Sequence, residues 1–499
     1  MTWNAARSEA RIRKHLTMVP AVEDGVTLAK HVAMQLEARA RGDLGELSTR
    51  RTFLVEGAHL YGQLLDFNDL VAEQGRETES SHARVLRFLN TYYRVWDSIV
   101  DNEDGYRVDY HGARLHAVVT EPAGDPRGQV ERAVALASKL ADAAKQVGDA
   151  YGFPARIRFG IDHGRCLAMT TGRSHEKDTL FLGAPANHAA KKAAEAEVPG
   201  VFLADGAMRV VGSQALAKSL SGEMYLTESY TRDATSHYRF DRIDRAVAVL
   251  VEEHRKGVAE PVFRFRRQTP PLSSLKFAEL SPAKSVRMGM ASLFADIDGF
   301  TAYVDAAIRG GPLQIKAAVK TIHVIREELN DVLQDDFGGK RVRFIGDCIH
   351  GCLAAGVNTD DPATAVDDTA MCAAGMRSSF DLCLRLAQPA ANLDLAIGIE
   401  YGPVPVTRLG TPGNDSVRCA AGRAVIDAER IQQSIVGGGV KMGPTALSHA
   451  RSAVRKHFGE AARIISYASA ADLLGTVSSP AVQVIRENPA ARPHASTRN

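Results

Sequence analysis

Apolar positions along this chain follow two periods. From about residue 51, short apolar runs alternate with longer stretches at helical spacing, the texture of α/β or α+β units. RTFLVEG, from Arg51, predicts a strand, and HLYGQLLDFNDLVAE a helix after it. SSHARVLRFLNTYYRVWDSIVDN predicts a long amphipathic helix, and YRVDYHGARLHAVV a hairpin turning at His111-Gly112. An Ala-rich helix over Glu131 to Val147 follows, then the strand-like ARIRFGIDHGRCLAM and the helix LGAPANHAAKKAAEA, which opens on a glycine. Residues 1–50 read as a helical lead, with VTLAKHVAMQLEARA at helical spacing and Gly42 as its stop.

Residues 256–290 break the pattern. GVAEPVFRFRRQTPPLSS carries three of the chain's 20 prolines and reads as a linker. The same order of elements then returns. SLFADI is the opening strand, a helix covers Leu313 to Leu333, and KRVRFIGDCIHGCLA is the hairpin. A helix from Ala363 to Ala387, the strand LDLAIGIEYGPV and the helix AAGRAVIDAERIQQS complete it. Three segments match in the same order, with Gly112 on Gly346, Gly164 on Gly402 and Gly183 on Gly422. The chain therefore divides into a lead (1–50), a first copy (51–255), a linker (256–290), a second copy (291–480) and a tail (481–499), expected to be disordered from about Asn488. Each copy reads as a βαββαβ-type domain.

Composition removes several function classes. A net charge of +2 gives no polyanion-binding surface, and no run reaches the roughly 18 apolar residues that span a membrane. The six cysteines form no C-x-x-C pair, which argues against a disulfide framework or a zinc site. The charged N-terminus is unlike a secretory signal, so a reduced, cytoplasmic protein is expected, with no nucleic-acid partner and no membrane insertion.

The chemistry is densest in SLFADIDGFTAY (292–303), where an apolar strand runs into Asp296 and Asp298 and then Gly299-Phe300-Thr301 opens a helix. A carboxylate there can hold a divalent metal, and the free N–H groups of the next turn, over Gly299, Phe300 and Thr301, can hold phosphate oxygens. Asp347 follows Gly346 at the second hairpin turn, facing that strand. Neighbouring strands lie about 4.8 Å apart. Two such carboxylates can share a pair of metal ions, an arrangement suited to phosphoryl chemistry.

These stretches resemble the metal motifs of class III nucleotidyl cyclases, and EYGPVPVTRLG with AAGRAVIDAERI resembles their later strand and helix. The resemblance covers most of 285–450 and, more weakly, 51–210. It implies an α+β fold of two ferredoxin-like βαββαβ domains packed as a head-to-tail pseudo-dimer. It also implies a nucleoside triphosphate substrate, Mg2+ or Mn2+ as two ions, and release of a cyclic nucleotide and pyrophosphate. One domain of such a pair lends the metal ligands, here Asp296, Ile297 and Asp347. The other lends an Asn that orients the ribose and a cation that stabilises the transition state.

The two copies fill these roles unequally. In the first copy Ala113 stands at the position of Asp347, with Glu56 taken as roughly that of Asp296, so it is no metal donor. It carries Asn187 four residues after Gly183, and Lys191 four further on, where the second copy has Ile426 and Arg430. The family usually has Arg at the latter position; Lys191 keeps the charge and loses the bidentate fork. One complete site is therefore expected, and whether the other pseudo-site, with Arg343, Cys419 and Arg430, is empty or regulatory stays open. A homodimer also stays open.

Base recognition falls to Asp109, three residues before the hairpin glycine, with Thr179 and Leu180 beside it. An ionised carboxylate only accepts hydrogen bonds. It suits the imino N–H of uracil or guanine, or an exocyclic amine, and cannot donate to N1 of adenine. Unorthodox base positions of this kind resemble the bacterial pyrimidine cyclases of antiphage (Pycsar) defence, which implies UTP, or alternatively CTP, as substrate. A guanylate or adenylate cyclase and a non-catalytic nucleotide sensor remain the alternatives. His111, His116, His350, Cys348 and Cys352 read as packing residues, and Arg408 and Arg418 as solvated loop charges rather than triphosphate ligands.

Overall fold

A computed structural model describes residues 2–23, 51–65, 67–71, 76–102, 105–172, 176–212, 215–218, 224–237, 241–256, 261–411, 416–459 and 461–475. The helix expected over VTLAKHVAMQLEARA and the tail from 481 lie outside these residues.

The first copy is built on β1 (Arg51–Leu64), α2 (Glu79–Asn102), β2 (Gly105–His111), β3 (Arg114–Val119), α3 (Pro126–Tyr151), β4 (Ile157–Thr171), β5 (Asp178–Leu182) and α4 (Ala184–Ala194). Its strands lie in the order β2-β3-β1-β4-β5. The second copy repeats the plan with β6 (Ser285–Asp298), α5 (Phe300–Gly310), α6 (Pro312–Asp331), β7 (Lys340–Ile345), β8 (Cys348–Leu353), α7 (Pro362–Ala387), β9 (Asp394–Leu409), β10 (Val417–Ala420) and α8 (Arg423–Gln433). Its order is β7-β8-β6-β9-β10. The first four strands of each copy, antiparallel throughout, give the ferredoxin-like βαββαβ arrangement expected from the repeat. The repeat extends to side chains: Tyr61 stacks on His116 at 4.1 Å in one copy and Phe294 on His350 at 4.2 Å in the other.

Alternation along the central strand sorts its side chains between two faces. In β6, Ala291, Leu293, Ala295 and Ile297 join the core under α5, α6 and α7, whereas Met288, Met290 and Phe294 pack with Val425 and Ala428 of α8. Asp296 falls in the second set, which aims it at the α8 face. Gly160 and Gly398 let α4 and α8 lie directly on the sheet, since a Cβ there would collide with the carbonyl oxygens of Ala189 and Ala428.

Two expectations need correction. HLYGQL, read as the start of a helix, is the second half of β1, and only Phe67–Val71 beyond it is helical. β1 is a central strand, paired with β3 and β4 at its edges and packed against α3 and α4 on its two faces, so the period-2 signal is lost in a near-continuous apolar run. Within the expected linker, residues 261–284 pack closely. Phe265–Arg266 pairs with the start of β6, while Leu272, Leu275, Phe277 and Leu280 are buried with Met288 and Val404.

The N-terminus touches both copies. Helix α1 (Ala5–Leu16) meets α6 and the turn after it through Ser8–Glu328 (2.6 Å), Arg11–Glu328 (2.8 Å), Arg11–Asp336 (2.8 Å) and His15–Asp331 (2.9 Å), and α7 through Ser8–Ser379 (2.8 Å). The strand Ala21–Glu23 then pairs with β1 of the first copy. Contacts between the copies are reciprocal: β5 lies against β7, β10 against β2, and α4 against α5.

Candidate active site

The end of β6 and the β7–β8 turn converge. Ala295 pairs with Ile349, and the two-residue turn Gly346-Asp347 needs the left-handed backbone that Gly346 adopts at φ 59°. This brings the Asp347 and Asp296 carboxyl groups within hydrogen-bonding reach. Burial pushes Asp296 up to about 6, with Glu429 and Asp298 adding repulsion. Burial and the charge of Asp296 hold Asp347 well above the usual carboxylate range. Arg326 offsets Asp347 only in part and both carboxyls stay raised, which is the environment a divalent cation relieves. Two carboxylates and nearby backbone oxygen form a hard donor set suited to Mg2+ or Mn2+. Among the described residues, one group of three potential ligands, His15, Glu328 and Asp331, lies elsewhere; there Arg11 already supplies the positive charge.

Beside the carboxylates, α5 starts at Gly299 with no side chain capping its first turn. Phe300 is buried in the core, while Thr301 accepts a close hydrogen bond from the Asn187 side chain of the first copy. The Ala184 N–H donates to Asp305 at 2.9 Å, so α5 caps α4 across the copies and fixes Asn187 against the first turn of α5. Lys191 is exposed one helical turn further along α4. The structure therefore brings Asn187 to Thr301, 114 positions away, and Asp296 to Asp347.

At the expected base position, Asp109 is gripped by Arg343 of the second copy, whose Nη1 lies 2.7 and 2.8 Å from its carboxylate oxygens. Leu180 is buried among Leu293, Ile297 and their neighbours, and Thr179 contacts Thr170 at 3.4 Å. Sequence reasoning missed the charges around them. Asp178, buried, pairs closely with Arg418 and accepts the Phe344 N–H at 3.1 Å. Burial raises Asp178, and Arg418 and Arg341 oppose that rise. Arg418 and Arg408 are both buried, so the solvated reading of these charges is wrong. Arg326 donates to the Gly346 carbonyl and is lowered by burial to about 10. The available signal was an arginine or aspartate inside an otherwise apolar strand or helix, which demands a buried partner.

The other pseudo-site differs at every polar position. Strand register places Gln63, not Glu56, at the counterpart of Asp296: Tyr61 pairs with His116 as Phe294 does with His350, and Gln63 lies two residues beyond Tyr61 as Asp296 does beyond Phe294. Gln63 accepts from Arg114 Nε at 2.8 Å. Arg114 also pairs with Glu429 of α8 at 2.6 Å, and His111 lies 3.4 Å from the same carboxylate. Arg430 is exposed and pairs with Asp427 at 3.0 Å. The packing reading holds for His116, His350, Cys348 and Cys352, which are buried, but His111 also lies against the Glu429 carboxylate.

Two ferredoxin-like domains in tandem, with an acidic pair on one beside an uncapped helix start and an Asn from the other, define a class III nucleotide cyclase. The chain matches the adenylate and guanylate cyclase catalytic domain over residues 60–240 and 285–462, and it belongs to that family, whose domains use divalent metal ions. It is 39% identical to a uridylate cyclase of a Rhizobium species, over 99% of this chain and 100% of that one. It is 37% identical to a uridylate cyclase of Pseudomonas aeruginosa, over 92% of this chain and 88% of that one. The crystal structure of a class III adenylyl cyclase-like ATP-binding protein from Pseudomonas aeruginosa superposes with a TM-score of 0.84 at 35% identity. It covers 95% of this chain and 100% of that one. Among the described residues no helix is long and apolar enough to cross a membrane.

Proposed function

We propose that this protein is a uridylate cyclase, converting UTP to 3′,5′-cyclic UMP and pyrophosphate at one site composed from both copies. The observation that carries the composite site is the Asn187–Thr301 contact, which joins the ribose-orienting helix to the metal-bearing half. The base is supported by two relatives named uridylate cyclases that span most of the chain. In this reading the copies act as a head-to-tail pseudo-dimer. Asp296, Asp347 and the Ile297 backbone hold two Mg2+ or Mn2+ ions, which supply Lewis acidity when bound. The N–H groups after Gly299 hold the triphosphate. Asn187 turns the ribose so that its 3′-oxygen faces the α-phosphorus. That oxygen bonds to phosphorus as its proton passes to water, the bond to the β-phosphate bridge breaks, and pyrophosphate leaves with the electron pair. Lys191 offsets the charge that develops. Asp109, held by Arg343, accepts the uracil N3–H. The product serves as a second messenger in antiphage defence, made in the cytoplasm.

A second reading, nucleotide binding without turnover, has two specific supports: Lys191 in place of Arg, and the ATP-binding relative. Incubating the purified chain with each of the four ribonucleoside triphosphates and Mn2+, with products identified by mass, separates the two. Cyclic UMP is the expected product. No cyclic product from any triphosphate would leave the sensor, and cyclic AMP alone would refute the role given to Asp109.

A further inference from the structure

The second pseudo-site has lost its metal carboxylates to Gln63 and Ala113, yet the residues beside them are charged and engaged. Arg114 stands in the first copy where the second has Cys348, and Glu429 stands in α8 where α4 has Ala190. The ion pair between them exists on one side of the molecule only. Burial would raise Glu429, but Arg114 and His111 outweigh it and hold that carboxyl well below its usual range. The Glu429 side chain is 12% exposed, so its ionised form depends on that partner.

Glu429 and Gln432 lie three residues apart on α8 and so share a face. Gln432 Nε2 is 3.4 Å from Asp296 Oδ2. The Ala428 carbonyl and the Gln432 backbone nitrogen both lie hard against the sheet at Gly398, so α8 has little room to tilt without moving both side chains. We propose, resting on the cyclase reading above, that the degenerate hairpin positions the metal-bearing strand. In this account Arg114, with His111, holds Glu429, and α8 carries that restraint through Gln432 to Asp296. Arg114 and Glu429 are thus positioning residues for catalysis, contributed from a site that performs none.

Removing the cation leaves a buried carboxylate uncompensated, and α8 must shift to hydrate it. Arg114→Met in the full chain is therefore expected to lower kcat about ten-fold and to raise the Mn2+ concentration at half-maximal rate by a similar factor, the usual effect of losing an outer-shell partner. KM for the triphosphate at saturating metal stays unchanged. Adding Glu429→Gln removes the stranded charge, so the double variant should recover most of the loss. A merely structural role would lower Tm without moving the metal requirement. An Arg114→Met protein with wild-type kcat and metal requirement overturns the proposal, and so does a double variant no better than the single. If Arg114→Met does not fold, Arg114→Gln, which also removes the cation but keeps a polar side chain beside Gln63, supplies the same comparison. The Mn2+-induced rise in Tm needs no turnover and should shrink in Arg114→Met. An inactive wild type would thus refute the cyclase reading while this readout still decides the coupling.

Discussion

Asp347→Ala is expected to abolish cyclic nucleotide formation, by about three orders of magnitude or more, while the protein melts at or above the wild-type temperature in the absence of metal. The loss of rate follows from the proposed site: Asp347 would be one of the two side-chain carboxylates that hold the metal ions, and alanine cannot ligate. The melting behaviour follows from linkage. The folded pKa of Asp347 lies above its unfolded value because of burial and the charge of Asp296. A carboxylate shifted this way destabilises the folded state when ionised, and the penalty disappears as pH falls through the raised pKa. Alanine removes that penalty at pH 7 and gains nothing at acid pH, so the difference in Tm between variant and wild type should close on acidification. Mn2+ should stabilise the wild type by about 2.7 kcal/mol at a hundred-fold excess over Kd and leave the variant unmoved. Thermal melts at pH 7 and pH 4, with and without Mn2+, measure all of this. A variant that still responds to Mn2+ would place the metal elsewhere.

Asn187→Ala should cost about 10²–10³ in kcat, the scale seen when one preorganised donor to the reacting centre is lost. Because Asn187 lies on the first copy, the metal-linked rise in Tm should survive intact. That combination, a large rate loss with normal metal binding, is the mirror of Asp347→Ala and is what a site divided between copies requires. Lys191→Ala should lose a similar factor, whereas Lys191→Arg, which restores the fork, should match or exceed the wild-type rate. Equal rates for Asn187→Ala and wild type would refute the division of labour.

The second half of the site was the most legible. The strand into Asp296, the glycine opening of α5 and the Gly346-Asp347 turn are local features, each written within about a dozen residues, and all three stand where the pattern placed them. The internal repeat was equally clear because its glycines mark turns and close approaches that no other residue can fill. What the pattern hid is non-local. β1 is packed against helices on both faces, so its second half reads like a helix, and that error misplaced the counterpart of Asp296 at Glu56 instead of Gln63. Asp178, Arg418, Arg343 and Arg326 are charges whose partners arrive from the other copy or from a packed helix. Spacing along the chain carries no trace of such pairings. Gln432 beside Asp296 is likewise set by how α8 sits on its sheet.

One measurement tests the composite site directly: anomalous diffraction from the full chain crystallised with Mn2+ and a slowly reacting α-thio analogue of UTP. The account predicts manganese peaks between Asp296 and Asp347, one nucleotide per chain, its ribose against Asn187 and its base edge on Asp109. Manganese or nucleotide beside Gln63, Ala113 and Arg114, or a ribose held without Asn187, would contradict it.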